Sequence, residues 1–289
     1  MSIVSAQPAV ATSRPPGRPA PVAPAGRWRG VASRLALPTF SVVVFGAIWQ
    51  LVVSLGIWNR TLVPPPSAVW KAFIRTSSTV DGTRGYSGKL LVEHFAISIE
   101  RIVYGAGAGI LLGIVLGLVL GLTPWLRAMF EPWITFLRAL PPLAYFSLLI
   151  IWLGINEEPK ITLLAIAAFP PVAVATTTAV MAAPVSLIEA ARALGGRRLD
   201  VVRDVIVPAA LPETITGIRL AVGVAYSSLV AAELVNGLPG IGGMVRDAAN
   251  YNNTPVVIVG IIVIGVSGLV IDGFLQLLER RLVPWRGRA

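Results

Sequence analysis

The sequence predicts an all-α membrane protein of about six transmembrane helices, interrupted once by a long polar loop. Three observations lead there. Of 289 residues, 55% are hydrophobic and only 13% charged, and the mean hydropathy is +0.77, values far from those of a soluble domain. The apolar residues gather into runs long enough to cross a hydrocarbon core of ~30 Å at ~1.5 Å per residue. The basic residues, which leave a net charge of +10, concentrate outside those runs, as expected of loops sorted across a bilayer rather than of a protein that grips nucleic acid. There is no cysteine, so disulfides, thiolate metal sites and cysteine nucleophiles are excluded.

Taken in order, residues 1–36 carry Pro8, Pro15, Pro16, Pro19, Pro21 and Pro24 with five arginines and no acid. Such a composition cannot bury a core, and it predicts a disordered cytoplasmic tail ahead of a membrane body over 37–289. An apolar h-region with a small-residue cleavage site is missing where a signal peptide would need one. The first predicted span is Leu37 to Ile57. A turn marked by Pro64, Pro65 and Pro66, an amphipathic segment from Ala68 to Ile74 and a polar loop follow. Further spans are predicted over Ile102–Leu122, Ile134–Leu153, Ile161–Ala182, Gly217–Val235 and Val256–Leu278. The second of the six is a run of small residues, Gly105, Gly107, Gly109, Gly113, Gly117 and Gly121, whose spacing by four makes a flat strip that predicts close packing inside the bundle or at a dimer seam. Pro141-Pro142 and Pro170-Pro171 are predicted to kink or break their helices and to face protein or a water-filled path. Arg60, Lys71, Arg75, Arg84, Lys89, Lys160 and Arg246 fall in the outer loops if both termini are inside. The inner segments then hold twice as many Lys and Arg, so both ends and the polar loop are predicted to be cytoplasmic.

That loop is not linker-like. Ser186 precedes Glu189 by three, a capping box that predicts a helix from Leu187 to Leu194. Gly195 and Gly196 then permit a reversal. A second amphipathic helix sets Val201, Val202, Val205 and Ile206 against Asp200, Arg203 and Asp204, and Pro208 is predicted to stop it. Two short helices at a glycine corner make a rigid knob.

The spacing Glu189-Ala190-Ala191, three residues, Gly195, nine residues, Val205, one residue, Val207, Pro208 resembles the EAA loop of importer permeases in the ATP-binding cassette (ABC) superfamily, here over 185–212. The resemblance implies a coupling helix that docks into a groove of a separate ATPase subunit. It assigns Glu189, Ala190, Ala191, Arg192, Gly195, Gly196 and Pro208 to that contact. It also implies that ATP and Mg are bound by the partner, that a periplasmic substrate-binding protein delivers the cargo, and that two permeases pair as a homodimer in the lipid of a bacterial inner membrane. No GxxxxGK[ST] phosphate loop occurs in the chain, in keeping with a non-catalytic subunit that holds no cofactor itself.

From about Leu62 to Gly287 the chain resembles the branch that imports nitrate, bicarbonate, taurine and other sulfonates. RALPPLAYFSLLIIWLGI (Arg138 to Ile155), GIRLAVGVAYSSLVAAEL (Gly217 to Leu234) and RRLVPWRG (Arg280 to Gly287) are similar to taurine permeases in particular. Taurine is the cargo this implies first, another organosulfonate, nitrate or bicarbonate second. The hydroxyls of Tyr145, Thr176, Thr177, Thr178, Tyr226, Ser227 and Ser228 are the candidates for the translocation path, since they can solvate a sulfonate without trapping it.

The remaining ionisable residues have plainer readings. Glu100, Arg101 and Arg138 lie near span ends, where they snorkel or pair. Glu233 lies near the outer end of the fifth span, and Asp272, within an apolar run, is predicted to pair with an arginine or face the inner interface. His94 has no metal partners at ligand spacing and reads as a solvent-facing or capping residue. NGLPGIGGMV (Asn236 to Val245) is expected to form a gate or re-entrant turn. A transporter driven by an ion gradient would need an intramembrane acid relay or inverted halves, and neither is clear in the sequence.

Overall fold

The computed structural model describes residues 29–80, 82–237 and 239–284. Most of the predicted tail therefore lies outside the described residues. The chain divides into two units, 1–51 and 52–289. The described part of the first belongs to helix α1 (Arg29–Ser54), which is apolar over Thr39–Ser54.

The second unit opens with α2 (Pro66–Ser77), started by a proline at its first position, and a two-residue hairpin, β1 (Thr79–Val80) with β2 (Thr83–Arg84), in which Thr79 pairs with Arg84. Then come α3 (Leu91–Leu122), α4 (Pro124–Ala139), α5 (Pro142–Leu153) and α6 (Glu158–Met181). The short α7 (Val185–Ala193) and α8 (Arg198–Val201) lead through a π-helical turn (Val202–Ile206) into α9 (Val207–Val235). Helices α10 (Ile241–Asn250) and α11 (Thr254–Leu282) complete the chain.

Among the described residues four helices are long and apolar enough to cross a membrane: α3, α6, α11 and the continuous run Arg198–Val235. The predicted third span is not a rod. It covers the end of α4 and all of α5, two helices bent by 96° across Leu140-Pro141, and the pair counts as a fifth span only if taken together. The break was expected at Pro141-Pro142: Leu140, ahead of a proline, is extended, and Pro142 begins the next helix. At Pro170-Pro171 the helix does not break, and both prolines lie inside a continuous α6. That helix is wedged between α3 and α9, where Leu164, Ala168 and Val172 meet Ile102, Ala106, Ala221, Ala225 and Leu229, all buried. Packing on both sides outweighs the local preference.

The glycine strip of α3 is the reason the bundle closes. A β-carbon at Gly105, Gly113, Gly117 or Gly121 would lie 2.6 to 2.8 Å from Leu164, Val172, Thr176 or Val180 of α6, and one at Gly109 would overlap the Ala165 carbonyl. The strip is therefore a seam within one chain. Gly107, off the register, has nothing near it.

Candidate functional site

The knob departs from the predicted capping in a way that local chemistry explains. Pro184, with its φ fixed at −61°, precedes the first residue of α7, so Ser186 lies inside the helix and not at its cap. Its C-terminus is a Schellman closure: the Gly196 N–H donates to Ala191 O (3.0 Å) and the Gly195 N–H to Arg192 O (2.9 Å). Gly195 occupies the left-handed position, φ +85°, which a residue with a β-carbon enters at a cost of about 1–2 kcal/mol. The Asp200 carboxylate then accepts the Arg197 N–H (2.9 Å) and starts α8.

Pro208 does not end the second helix. The chain passes helically from Arg198 to Val235 because the π turn comes just before the proline. There Val207 N–H bonds back five residues to Val202 O, which widens the turn where the proline ring would otherwise strike the carbonyl four residues earlier.

Val201, Ile206, Ala210, Ala179, Val180 and Ala183 form the buried base that fastens the knob to the bundle, with Ile188, Ala191 and Val202 packed on it. Its other side faces outward. Glu189, Ala190, Arg192 and Gly195 are exposed, Ala191, Gly196 and Pro208 half-buried, and Leu194 and Leu199 on either side of the corner are 90% and 78% exposed. Arg192, Arg197 and Arg198 are exposed beside them. Two bare leucines framed by arginines form a surface that an apolar groove with an acidic rim would match.

The hydroxyl residues do not converge on one cavity. Thr177 is buried and donates to Gly117 O (3.1 Å), Ser228 is buried and donates to Val224 O (2.7 Å), and Tyr226 bonds Ile264 O (2.8 Å) and Ser267 (2.5 Å) on α11. Thr176 is buried at Gly117 with its hydroxyl unpartnered. Tyr145 packs beside Phe146 and Leu149. Ser227 is exposed on an outward stripe of α9 with Leu220, Gly223 and Val224. Thr178 and Thr177 line a cavity of about 110 Å³ with Arg127, Glu131 and Met181.

At the end of α6 and α9 away from the knob lies an arrangement that the sequence reading missed. His94, Ser98 and Arg101 stand at i, i+4 and i+7, one face of α3, in line with the glycine strip. Arg101, 2% exposed, donates from Nη1 to Glu233 Oε1 (2.5 Å) and from Nε and Nη2 to both oxygens of Glu157 (2.5 and 2.7 Å). Glu233 is fully buried. It also accepts from Ser98 Oγ (2.8 Å) and from the Gly242 N–H (2.8 Å). Ser98 Oγ accepts the Ile241 N–H (3.1 Å), and His94 Nδ1 accepts the Gly240 N–H (3.3 Å), which puts the imidazole proton on Nε2, facing Tyr86 O (3.1 Å). His94 is thus a capping residue, and the solvent-facing alternative is overturned: it is buried. The predicted gate, Asn236 to Val245 apart from Leu238, which lies outside the described residues, is a turn folded onto Glu233 that leads into α10. Gly240, φ +142°, sits where a β-carbon would overlap the Glu233 carboxylate. Spacing on α3 was the legible signal; the partners are 132 and 56 residues away.

Two expectations about pairing hold. Arg101 pairs, and Asp272 accepts from Arg219 Nη2 (2.9 Å), whose Nη1 reaches Glu279 (3.0 Å). Among the described residues no group of three or more His, Cys, Asp or Glu is placed to hold a metal ion.

Glu157 precedes α6 and its side chain is 48% exposed. The hydrogen bond from Arg101 holds its carboxyl below the usual range. A depressed folded-state pKa contributes stability above the unfolded value of ~4.3 that is lost as pH falls through the folded value. Thermal melting of Glu157→Gln in detergent should therefore fall less than that of the wild type between neutral pH and the acid side of that range; parallel losses would contradict the pairing.

Residues 109–284 match the family described as "Binding-protein-dependent transport system inner membrane component". The chain is 38% identical over 264 residues to the taurine transport system permease protein TauC of Escherichia coli (strain K12), covering 90% of this chain and 94% of the relative. It is 36% identical over 266 residues to the aliphatic sulfonates transport permease protein SsuC of Bacillus subtilis (strain 168), covering 90% of each. The fold is similar to that of a chain of the MetNI methionine ABC transporter in an inward-facing conformation, with a TM-score of 0.56, 20% identity, and coverage of 67% of this chain and 94% of that one.

Proposed function

This chain belongs to the binding-protein-dependent transport system inner membrane components, and on that footing we propose that its cargo is taurine, moved from periplasm to cytoplasm. It is a non-catalytic, multi-pass permease of an ABC transporter in the sulfonate, taurine, nitrate and bicarbonate branch. The likeness to the taurine permease, which runs along nine-tenths of both chains, carries the choice of taurine. Another organosulfonate is the second reading, supported by the 36% identity to the aliphatic sulfonates permease.

In this reading two copies pair in the inner membrane with both termini cytoplasmic. A binding protein brings cargo to the outer face, and an ATPase subunit, which binds ATP and Mg, grips each knob through Leu194, Leu199 and the residues from Glu189 to Gly196. The knob joins the end of α6 to the start of α9, and α6 alone, 24 residues, is a rod of ~36 Å. Displacing the knob therefore displaces helices that run the depth of the bundle. Ser227, on the outward stripe of α9, is the first of the hydroxyls to consider along the path, with Tyr145 next; Thr176, Thr177, Tyr226 and Ser228 support the helices that frame it.

The test is uptake of labelled taurine by cells lacking this chain and complemented with variants. Wild type and Gly195→Asn, which tolerates the left-handed position, should restore ATP-dependent uptake. Gly195→Leu should reach the membrane yet lower uptake about tenfold or more, since a β-carbon there would meet nothing within 4 Å inside the chain. Full uptake with Gly195→Leu would remove the docking role. ATP-dependent uptake of a different sulfonate or of nitrate, and not taurine, would reassign the cargo.

A further inference from the structure

We propose that the cavity between α2, the β1–β2 hairpin and the start of α11 is a seat for the headgroup of an anionic phospholipid. The cavity, about 600 Å³, has an apolar floor of Ala68, Ala72, Pro255 and Val256, and its rim carries Lys71 and Arg75. Its volume is within the range of sites that hold small molecules. None of the described residues lining it is acidic. The two cations stand one helical turn apart, and among the described residues neither has an ion-pair partner.

What surrounds the cavity selects a lipid over a soluble anion. Beside the cations on α2, Trp70, Phe73 and Ile74 are exposed, and the Trp70 and Phe73 rings stack at 5.5 Å. Opposite them Val69, Ala72 and Thr76 are buried against the bundle. One helix thus shows a core side, an aromatic side and a cationic flank. Aromatic rings at headgroup depth with Lys and Arg beside them are the pattern of a helix lying in a membrane interface. The cavity opens at the end of α11 away from its charged last turn, so an acyl chain can leave along α11 while the phosphate meets Lys71 and Arg75. This seat does not depend on which anion is transported.

The test is native mass spectrometry of the full chain released from phosphatidylcholine nanodiscs that contain phosphatidylglycerol. The wild type and the charge-conserving K71R/R75K variant should retain phosphatidylglycerol preferentially, and K71Q/R75Q should lose that preference by about 30-fold, the product of two near-surface charges. Both side chains are exposed, so the variants should melt as the wild type does. Equal retention by wild type and K71Q/R75Q would overturn the proposal. In discs of phosphatidylcholine alone, glycerol 3-phosphate should not bind measurably; binding that depends on Lys71 and Arg75 and is as tight as that of the lipid would assign the cavity to a soluble anion and overturn the lipid reading.

Discussion

Replacing Arg101 with methionine is expected to destabilise the protein by about 3–5 kcal/mol, because it strands a buried carboxylate. Glu233 has no exposure, and among the described residues its only direct cationic partner is Arg101 of α3. Ser98 and the Gly242 N–H remain after the substitution, yet two neutral donors do not balance a full charge at that depth. Glu157 is released as well, but it is half-exposed and can turn to water. The double variant Arg101→Met with Glu233→Gln should therefore recover much of the loss: the amide still accepts a bond from Gly242 and carries no charge. Thermal unfolding of the purified chain in detergent distinguishes the cases. A double variant no more stable than the single one would mean that the guanidinium matters for its shape, not for the charge it neutralises.

Gly109→Ala is expected to cost about 1–3 kcal/mol, and Gly107→Ala, two residues away, to be neutral or stabilising by up to about 1 kcal/mol. Both glycines are helical and both become better helix formers as alanine. They differ in what a methyl group meets: the Ala165 carbonyl of α6 at Gly109, nothing within 4 Å at Gly107. A carbonyl inside a packed helix cannot yield as a side-chain tip can, so α3 must move off α6 and the contact between Ile102, Ala106, Leu164 and Ala168 loosens with it. The readout is the melting temperature of the two variants measured side by side. Equal shifts would mean that the strip is ordinary helix composition and not a seam.

The knob shows how far local sequence reaches. Gly195 and Gly196 were legible as a corner because only residues without a β-carbon enter the left-handed turn cheaply, and the Schellman bonds are there. The misplaced cap at Ser186 and the missed continuation past Pro208 have a common cause. Each motif has a local rival, Pro184 as a helix start and the π turn as a detour around proline, and the rivals prevailed. The candidate path was less legible still, since a hydroxyl in an apolar helix serves equally well to bond a neighbouring carbonyl, as Thr177 does with Gly117.

By itself the sequence determined where apolar helices run, where the polar knob interrupts them and which family of permeases the chain resembles, because transfer from water, helix period and turn geometry act over a few adjacent residues. Only the tertiary structure decided that the chain bends by 96° at Leu140-Pro141 while α6 continues through Pro170-Pro171, that the glycines of α3 receive α6, and that Arg101 joins Glu157 to Glu233. A buried charge or an absent side chain is neutral information until another segment arrives within about 3 Å, and which segment arrives is settled by the packing of the whole bundle.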